Sequence, residues 1–247
     1  MKRVIMLMLA ALFVVSCLSG CAFVIVVFAD GNAVTGTGDL ESYEFKVGEY
    51  SGIKIEGHCE IRYYSAPSDT ITLEIQPNLR DYYVAEVIGN ELIVRATRRI
   101  SYNQSKTPVL TVSTPVLNSL TVEGACTFIA YDKITAGSFT ISMSGAVEGK
   151  AELDVGRLSI NTSGASTFEL SGKADTVDIN ISGAGELDAL SLLTREATIN
   201  LSGVGEVRIS CSENLRVNAG GVGTVEYKGS PSVDISRGGL VNVKKVD

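Results

Sequence analysis

Apolar and polar residues alternate along most of this chain with a period of two, and the alternation breaks at regularly spaced glycines. In "TVDINISGAGELDAL" the apolar positions before Gly183 are Val177, Ile179 and Ile181, and those after it are Leu187 and Ala189. Ala197, Ile199, Leu201, Val207 and Ile209 stand in the same places around Gly203, and Leu215, Val217, Ala219, Val225 and Tyr227 around Gly221. Comparable glycines are Gly57, Gly124, Gly145, Gly164 and Gly239, and from Gly124 onward they recur about every 18–21 residues, as the corners of a structural repeat would. Alternation of this kind predicts strands with one buried face. Each copy then holds a strand, a tight corner at the glycine, a second short strand, and a further turn such as "SGKADT" or "SLLTRE".

Two strands and two corners in ~19 residues describe one coil of a repeat protein. The apolar side chains of one coil cannot offset the entropy of ordering it, so coils must stack and share a core. The fold class predicted is therefore all-β: a single-stranded β-helix, or solenoid, with coils of ~18–21 residues, regular from about residue 115. Residues 43–114 contain the first copy, at Gly57, and then longer strands with a hairpin turn at Gly89–Asn90, which predicts a wider opening β layer. Residues 30–42, "DGNAVTGTGDLES", read as a flexible tether. At the other end Lys244 and Lys245 stand where an exposed edge strand would need protection.

The outward columns of the repeat carry its candidate chemistry. Three residues before the glycine, four consecutive copies have Asn161, Asn180, Asn200 and Asn218, predicted to form a structural ladder of stacked amides. Two residues after it stand Cys59 and Cys126, which would lie within disulfide reach if their coils are neighbours; the alternative is a pair of buried thiols. Three after it come Glu60, Glu148, Glu186 and Glu206, and five after it Arg62, Lys150, Asp188 and Arg208. These read as a solvated face of mixed charge. Outside the repeat, Tyr82, Tyr83, Arg95, Arg98 and Arg99, with Tyr102, form a candidate surface for an anionic glycan or lipid headgroup.

Composition narrows the function classes. A net charge of −7 argues against nucleic acid as a partner. His58 is the only histidine, no nucleophile motif accompanies it, and no cluster of metal ligands is visible, so neither a metal nor a cofactor is expected. The Gly-x-Gly pairs resemble phosphate loops, but a dinucleotide loop needs a helix after the strand, and here another strand follows. A polysaccharide-acting enzyme would have to be built on Glu186, Glu206 and Arg208.

Residues 1–29, "MKRVIMLMLAALFVVSCLSGCAFVIVVFA", have a basic start and a long apolar run. Three outcomes fit: lipidation at Cys21 after "LSG", cleavage after Ala29, or an uncleaved anchor, since ~20 apolar residues suffice to span a bilayer. All three place the remainder outside the cytoplasm, and two of them attach it to a bacterial membrane.

"SGIKIEG", "ELIVRA", "PVLNSLTVEGACTF", "SGASTFELSGKADTVDINISGAGELDA", "SGVGEVRI" and "GGVGTVEYKGSPSV" together resemble the autotransporter-adhesin head (GIN) domain family, over about residues 43–245. The corners at Cys59 and Cys126 and the degenerate last copy, "RGGLVN", depart from the family pattern. The resemblance implies a right-handed, pectin-lyase-like β-solenoid without catalytic residues, secreted or lipid-anchored. It also implies a role as an adhesin or surface interaction module, with a glycan or cell-surface protein as partner and self-association open. A structural or sensory envelope component is the further alternative.

Overall fold

The computed structural model describes residues 33–101 and 106–247. The leader and its lipidation candidate Cys21 lie outside the described residues, as does Tyr102. What is described is nearly all β, a solenoid of about six turns.

The opening layer contains β1 (Val34–Thr35), β2 (Glu41–Lys46), β3 (Gly52–Tyr64), β4 (Thr70–Ile75), a 3-10 turn (Pro77–Tyr82), β5 (Tyr83–Ile88), β6 (Glu91–Ala96), β7 (Ile100–Ser101) and β8 (Val109–Ser113). The regular coils follow as β9 (Ser119–Ala130), β10 (Ile134–Thr162), β11 (Ala165–Ile181), β12 (Ala184–Leu201) and β13 (Val204–Ala219). The last turn is split into β14 (Val222–Lys228), β15 (Ser232–Arg237) and β16 (Leu240–Lys245).

Strand β3 is the hinge of the topology. On one side it pairs in parallel with β9 across their length, with Gly57 opposite Gly124. On the other it pairs with β6 through its first half and β8 through its second. The stretch from Ser65 to Asn118 is thus an excursion that builds the cap before the chain returns to start the coils. Antiparallel β2, β4 and β5 close this end. Gly89 and Asn90, at φ 58° and 70°, make the two-residue hairpin between β5 and β6, the left-handed pair that matches strand twist.

From β9 onward every neighbour is parallel and in the glycine register anticipated from the sequence. The alternating apolar residues fill one continuous core; Val177, Ile179, Ile181, Ala197, Ile199, Leu201, Leu215 and Val217 are all buried. Around Gly124 the sixth residue before the glycine is the exposed Asn118, and Leu117 enters the core beside it. The connecting stretches, expected to be turns, are also strand. Glu152–Val155 pairs with Ser171–Ala174, and Leu153, Val155 and Ala174 point inward, adding a third buried side to the coil. One extra residue, Leu190, is absorbed as a bulge between β11 and β12, which makes the step from Gly183 to Gly203 longer by one than the step before it.

The segment expected to be a flexible tether is docked from Val34 onward. Strand β1 pairs with β7, and the Asn78 side chain serves as its substitute partner on the other side. That amide accepts from Thr37 N–H at 2.8 Å and donates to the Thr35 carbonyl at 2.9 Å, so this backbone finds the partners a tether would take from water.

Candidate binding surface at the glycine corners

The glycine column forms because the coils meet there backbone to backbone. A Cβ on Gly203 would lie 2.0 Å from the Gly183 carbonyl oxygen, and one on Gly221 would lie 1.9 Å from that of Gly203. The same close approach, to the glycine one coil earlier, holds at Gly124, Gly145, Gly164, Gly183 and Gly239. No side chain fits in that space. The turn itself needs the left-handed half of backbone space at Gly124, φ 144°.

Where the chain bends at these glycines, the outer surface of the preceding strands becomes a groove of about 510 Å³ running along the solenoid. Its walls are two columns. One, three residues before the glycines, has Thr121, Ser142, Asn161, Asn180 and Asn200; the other, one residue before, has Glu123, Ser144, Ser163, Ser182 and Ser202. Between them lie the edges of Val122, Met143, Thr162 and Ile181, which are buried.

The asparagines form a continuous chain of amides. Asn180 donates to the Asn161 Oδ1 at 2.9 Å, Asn200 to Asn180 at 2.8 Å, and Asn218 to Asn200 at 2.7 Å. The serines turn their hydroxyl protons to the coil before: Ser182 donates to the Thr162 carbonyl at 3.0 Å and Ser202 to that of Ile181 at 3.3 Å. At the N-terminal end Glu123 is paired with Lys54 at 3.0 Å, and Lys54 also meets Glu56 at 3.1 Å. Those contacts push the Lys54 ammonium above its ordinary range. The serine column was not singled out in the sequence, although "SG" recurs in four of the copies and alternation alone puts that serine on the same face as the asparagine.

The other candidate residues are arranged differently. Glu186 and Glu206 are in register on adjacent coils and exposed, and Arg208, two residues along the strand from Glu206, makes its ion pairs elsewhere. It lies between Asp188 and Glu226, and Glu226 in turn meets Lys244 at 2.9 Å. The column five residues after the glycines is therefore a ladder of mixed charge, alternating from Asp188 to Lys244, in which Lys150 also meets Glu169 at 2.8 Å. The two cations beside Glu226 hold its carboxyl below the usual range, Lys244 contributing most. Among the described residues, no group of three His, Cys, Asp or Glu side chains is placed to hold a metal ion.

In the aromatic–basic surface, the Arg98 guanidinium stacks over Tyr82 at 5.5 Å, while Arg95 turns to Glu86 at 3.4 Å. Tyr83 faces Ala96 across the hairpin, and the Arg99 carbonyl accepts from Val34 N–H, placing Arg99 at the docked N-terminal segment. A second arginine, Arg80, lies over both Tyr43 and Phe45, at 5.9 and 5.4 Å, and covers the end of the cap.

Cys59 and Cys126 are register partners, as the sequence suggested, but both are free thiols with sulfurs 3.8 Å apart. The pair stands as the buried-thiol alternative, unbridged in this structure. In-register side chains on parallel strands project side by side, keeping Cβ atoms near the ~4.8 Å strand spacing rather than the ~3.8 Å a disulfide requires. The contact with the Cys126 sulfur, together with burial, pushes the Cys59 thiol well up.

With the repeat and its outer face defined, comparison with known proteins is decisive on one point. Residues 49–231 match the family described as "Putative auto-transporter adhesin, head GIN domain". The chain belongs to this family. Solved structures similar to this GIN domain include a putative adhesin from Bacteroides fragilis, with TM-score 0.81 at 21% identity, covering 87% of this chain and 100% of that one. A putative lipid binding protein from Parabacteroides distasonis has TM-score 0.69 at 23% identity, with 87% and 100% covered. A putative adhesin from Parabacteroides merdae has TM-score 0.63 at 19% identity, with 88% and 100% covered. At these identities the likeness speaks to the GIN fold alone. No curated protein matches the chain.

Proposed function

We propose that this GIN-domain protein is a non-catalytic recognition module of the bacterial envelope, held at the membrane by its N-terminal segment through lipidation at Cys21, and acting as an adhesin through the outer face of its solenoid. One observation carries this reading: the open groove at the glycine corners is repeated from coil to coil and walled mainly by residues bearing hydroxyls and amides. An active site gathers a few titratable groups around one point; this surface repeats the same neutral groups along an axis, which suits an extended partner. The arginine of the candidate catalytic trio is committed to Asp188 and Glu226. Membership of an adhesin-like family and the exported character of residues 1–29 point to the same side of the membrane.

The test is to express the full chain in a bacterial host and compare whole cells with cells carrying a Cys21→Ala variant. Membrane-associated, protease-accessible protein that increases retention of the cells on surface material from other bacteria supports the proposal. Cysteine replacement should release the chain or leave it unprocessed. A chain confined to the cytosol, or adhesion that is the same with and without it, would overturn the reading.

A further inference from the structure

We infer that the groove at the glycine corners binds an uncharged, linear polysaccharide lying along the solenoid axis, with one coil contacting one stretch of the polymer. The inference rests on the recognition-module reading and adds the chemical class of the ligand and the residues that hold it.

The hydrogen-bond inventory leads there. An amide has two N–H donors and two acceptor lone pairs. In the ladder Asn180 uses one donor on Asn161 and accepts once from Asn200. One N–H and one lone pair are left over, and Asn200 is in the same state, donating to Asn180 and accepting from Asn218. Ser182 and Ser202 have committed their single protons to carbonyls of the preceding coil. What they retain is acceptor capacity. Three successive coils, at Asn161, Asn180 and Asn200, therefore present the same set: a serine oxygen that can only accept, beside an amide that can both donate and accept. The set repeats at the ~4.8 Å spacing of parallel strands. Vicinal hydroxyls of a sugar are the complement, because each can donate to one such group and accept from another, and a linear glycan repeats them along its length.

The same inventory disfavours other occupants. Protein interfaces take most of their affinity from aromatic and other large anchors seated in pockets. The large apolar side chains here are Val122, Met143 and Ile181, all buried. A lipid chain meets the same obstacle. A polyanion finds no unpaired cation in the walls, since Lys54 is held by Glu56 and Glu123, and the chain as a whole carries −7. Neutral hydrogen bonds exchanged against water contribute little each. Binding should therefore be weak for a short oligosaccharide and strengthen with polymer length as successive coils engage.

The experiment uses the full-length protein in detergent and soluble neutral glucans, mannans and xylans as probes, with heparin and polygalacturonate as anionic comparisons. The expected result is retention on at least one neutral polymer, reduced about tenfold or more in the triple variant Ser163→Ala, Ser182→Ala, Ser202→Ala. Asn218→Ala breaks one ladder bond outside the groove walls and should leave binding unchanged, which separates recognition from general loosening. Melting curves of both variants confirm the fold. Binding that survives the triple serine variant, binding to the polyanions alone, or no binding to any neutral polymer would overturn the inference. A parallel arm uses surface extract from other bacteria, with and without periodate, which cleaves vicinal diols. If the protein captures extract equally well after periodate treatment, the recognition module stands and the glycan assignment fails.

Discussion

Replacing Gly203 by alanine tests the stacking that defines this molecule. The new Cβ would sit 2.0 Å from the Gly183 carbonyl oxygen and 2.7 Å from the backbone of Ser182. Nothing there can rotate away, because both neighbours are main chain. To reach even an ordinary close contact the two coils must separate by about 1 Å, in a core packed as densely as a crystal. The Val204 N–H bond to Gly183, now 2.9 Å, would then fall outside hydrogen-bond range, and the bonds from Ser202 and Gly203 to Ile181, at 2.9 and 3.1 Å, would be strained. Two to three lost bonds at about 1 kcal/mol each, added to about 1–3 kcal/mol of overpacking, give a destabilisation of about 3–6 kcal/mol. That is a large share of the ~5–15 kcal/mol available to a typical domain. Gly137→Ala is the internal control: it lies on the same solenoid, its Cβ would meet nothing within 4 Å, and its effect should stay within about 0.5 kcal/mol. Urea unfolding followed by circular dichroism reads both. If Gly203→Ala is no more destabilised than that control, the glycine column is not what sets the coil spacing.

Other consequences are more local. Asn200→Ala removes two ladder bonds and Asn218→Ala one, so the first should lower the unfolding free energy by about 1–3 kcal/mol and the second by about half of that; equal losses would mean the ladder is not acting as a chain. Phe168→Ala should cost about 3–5 kcal/mol by urea unfolding, since the ring is buried against the space that Gly149 leaves open on the preceding coil. The Tyr50 hydroxyl is buried and bonded to Ser113, and desolvation pushes its pKa up to about 12. The unfolded phenol ionises near pH 10 while the folded one does not, so its stabilisation is complete below pH 10 and is lost between pH 10 and 12. Unfolding free energy should drop by about 2–3 kcal/mol over that window, with a shallower slope in Tyr50→Phe. Intact mass and alkylation of the native protein should find Cys59 and Cys126 unbridged and reacting only after unfolding; a mass lower by two hydrogen atoms would contradict the side-by-side geometry.

The regular coils were readable from the sequence because the repeat imposes one constraint many times. Gly183, Gly203 and Gly221 each mark a place where main chain touches main chain, and the alternation around them names the core directly. The path of residues 65–118 was not readable. Nothing local in β6 or β8 says that they lie on the far side of β3, while β9, much later in the chain, lies on the near side. The docked start at Val34–Thr35 was missed because its partners, Asn78 and β7, are distant and carry no periodic signal. The connecting stretches looked like turns from their Gly, Lys and Glu content, yet parallel stacking pairs them as strand. In the groove, the asparagine column was visible as a pattern, and the serine column was equally regular but inconspicuous, since Ser before Gly is common in turns. The charge ladder from Asp188 through Arg208 and Glu226 to Lys244 could be anticipated only as a mixture of signs; which carboxylate each cation would choose depends on coil register.

The most direct measurement for the whole account is to follow binding and turnover together. Full-length protein is incubated with immobilised surface polysaccharide from other bacteria, and both retained protein and released sugar are quantified over time, with and without calcium. Saturable retention is expected, with no new reducing ends and no unsaturated product, unchanged in Glu206→Gln. Release of product that disappears in Glu206→Gln would show that an enzyme, and not a recognition module, is built on these coils.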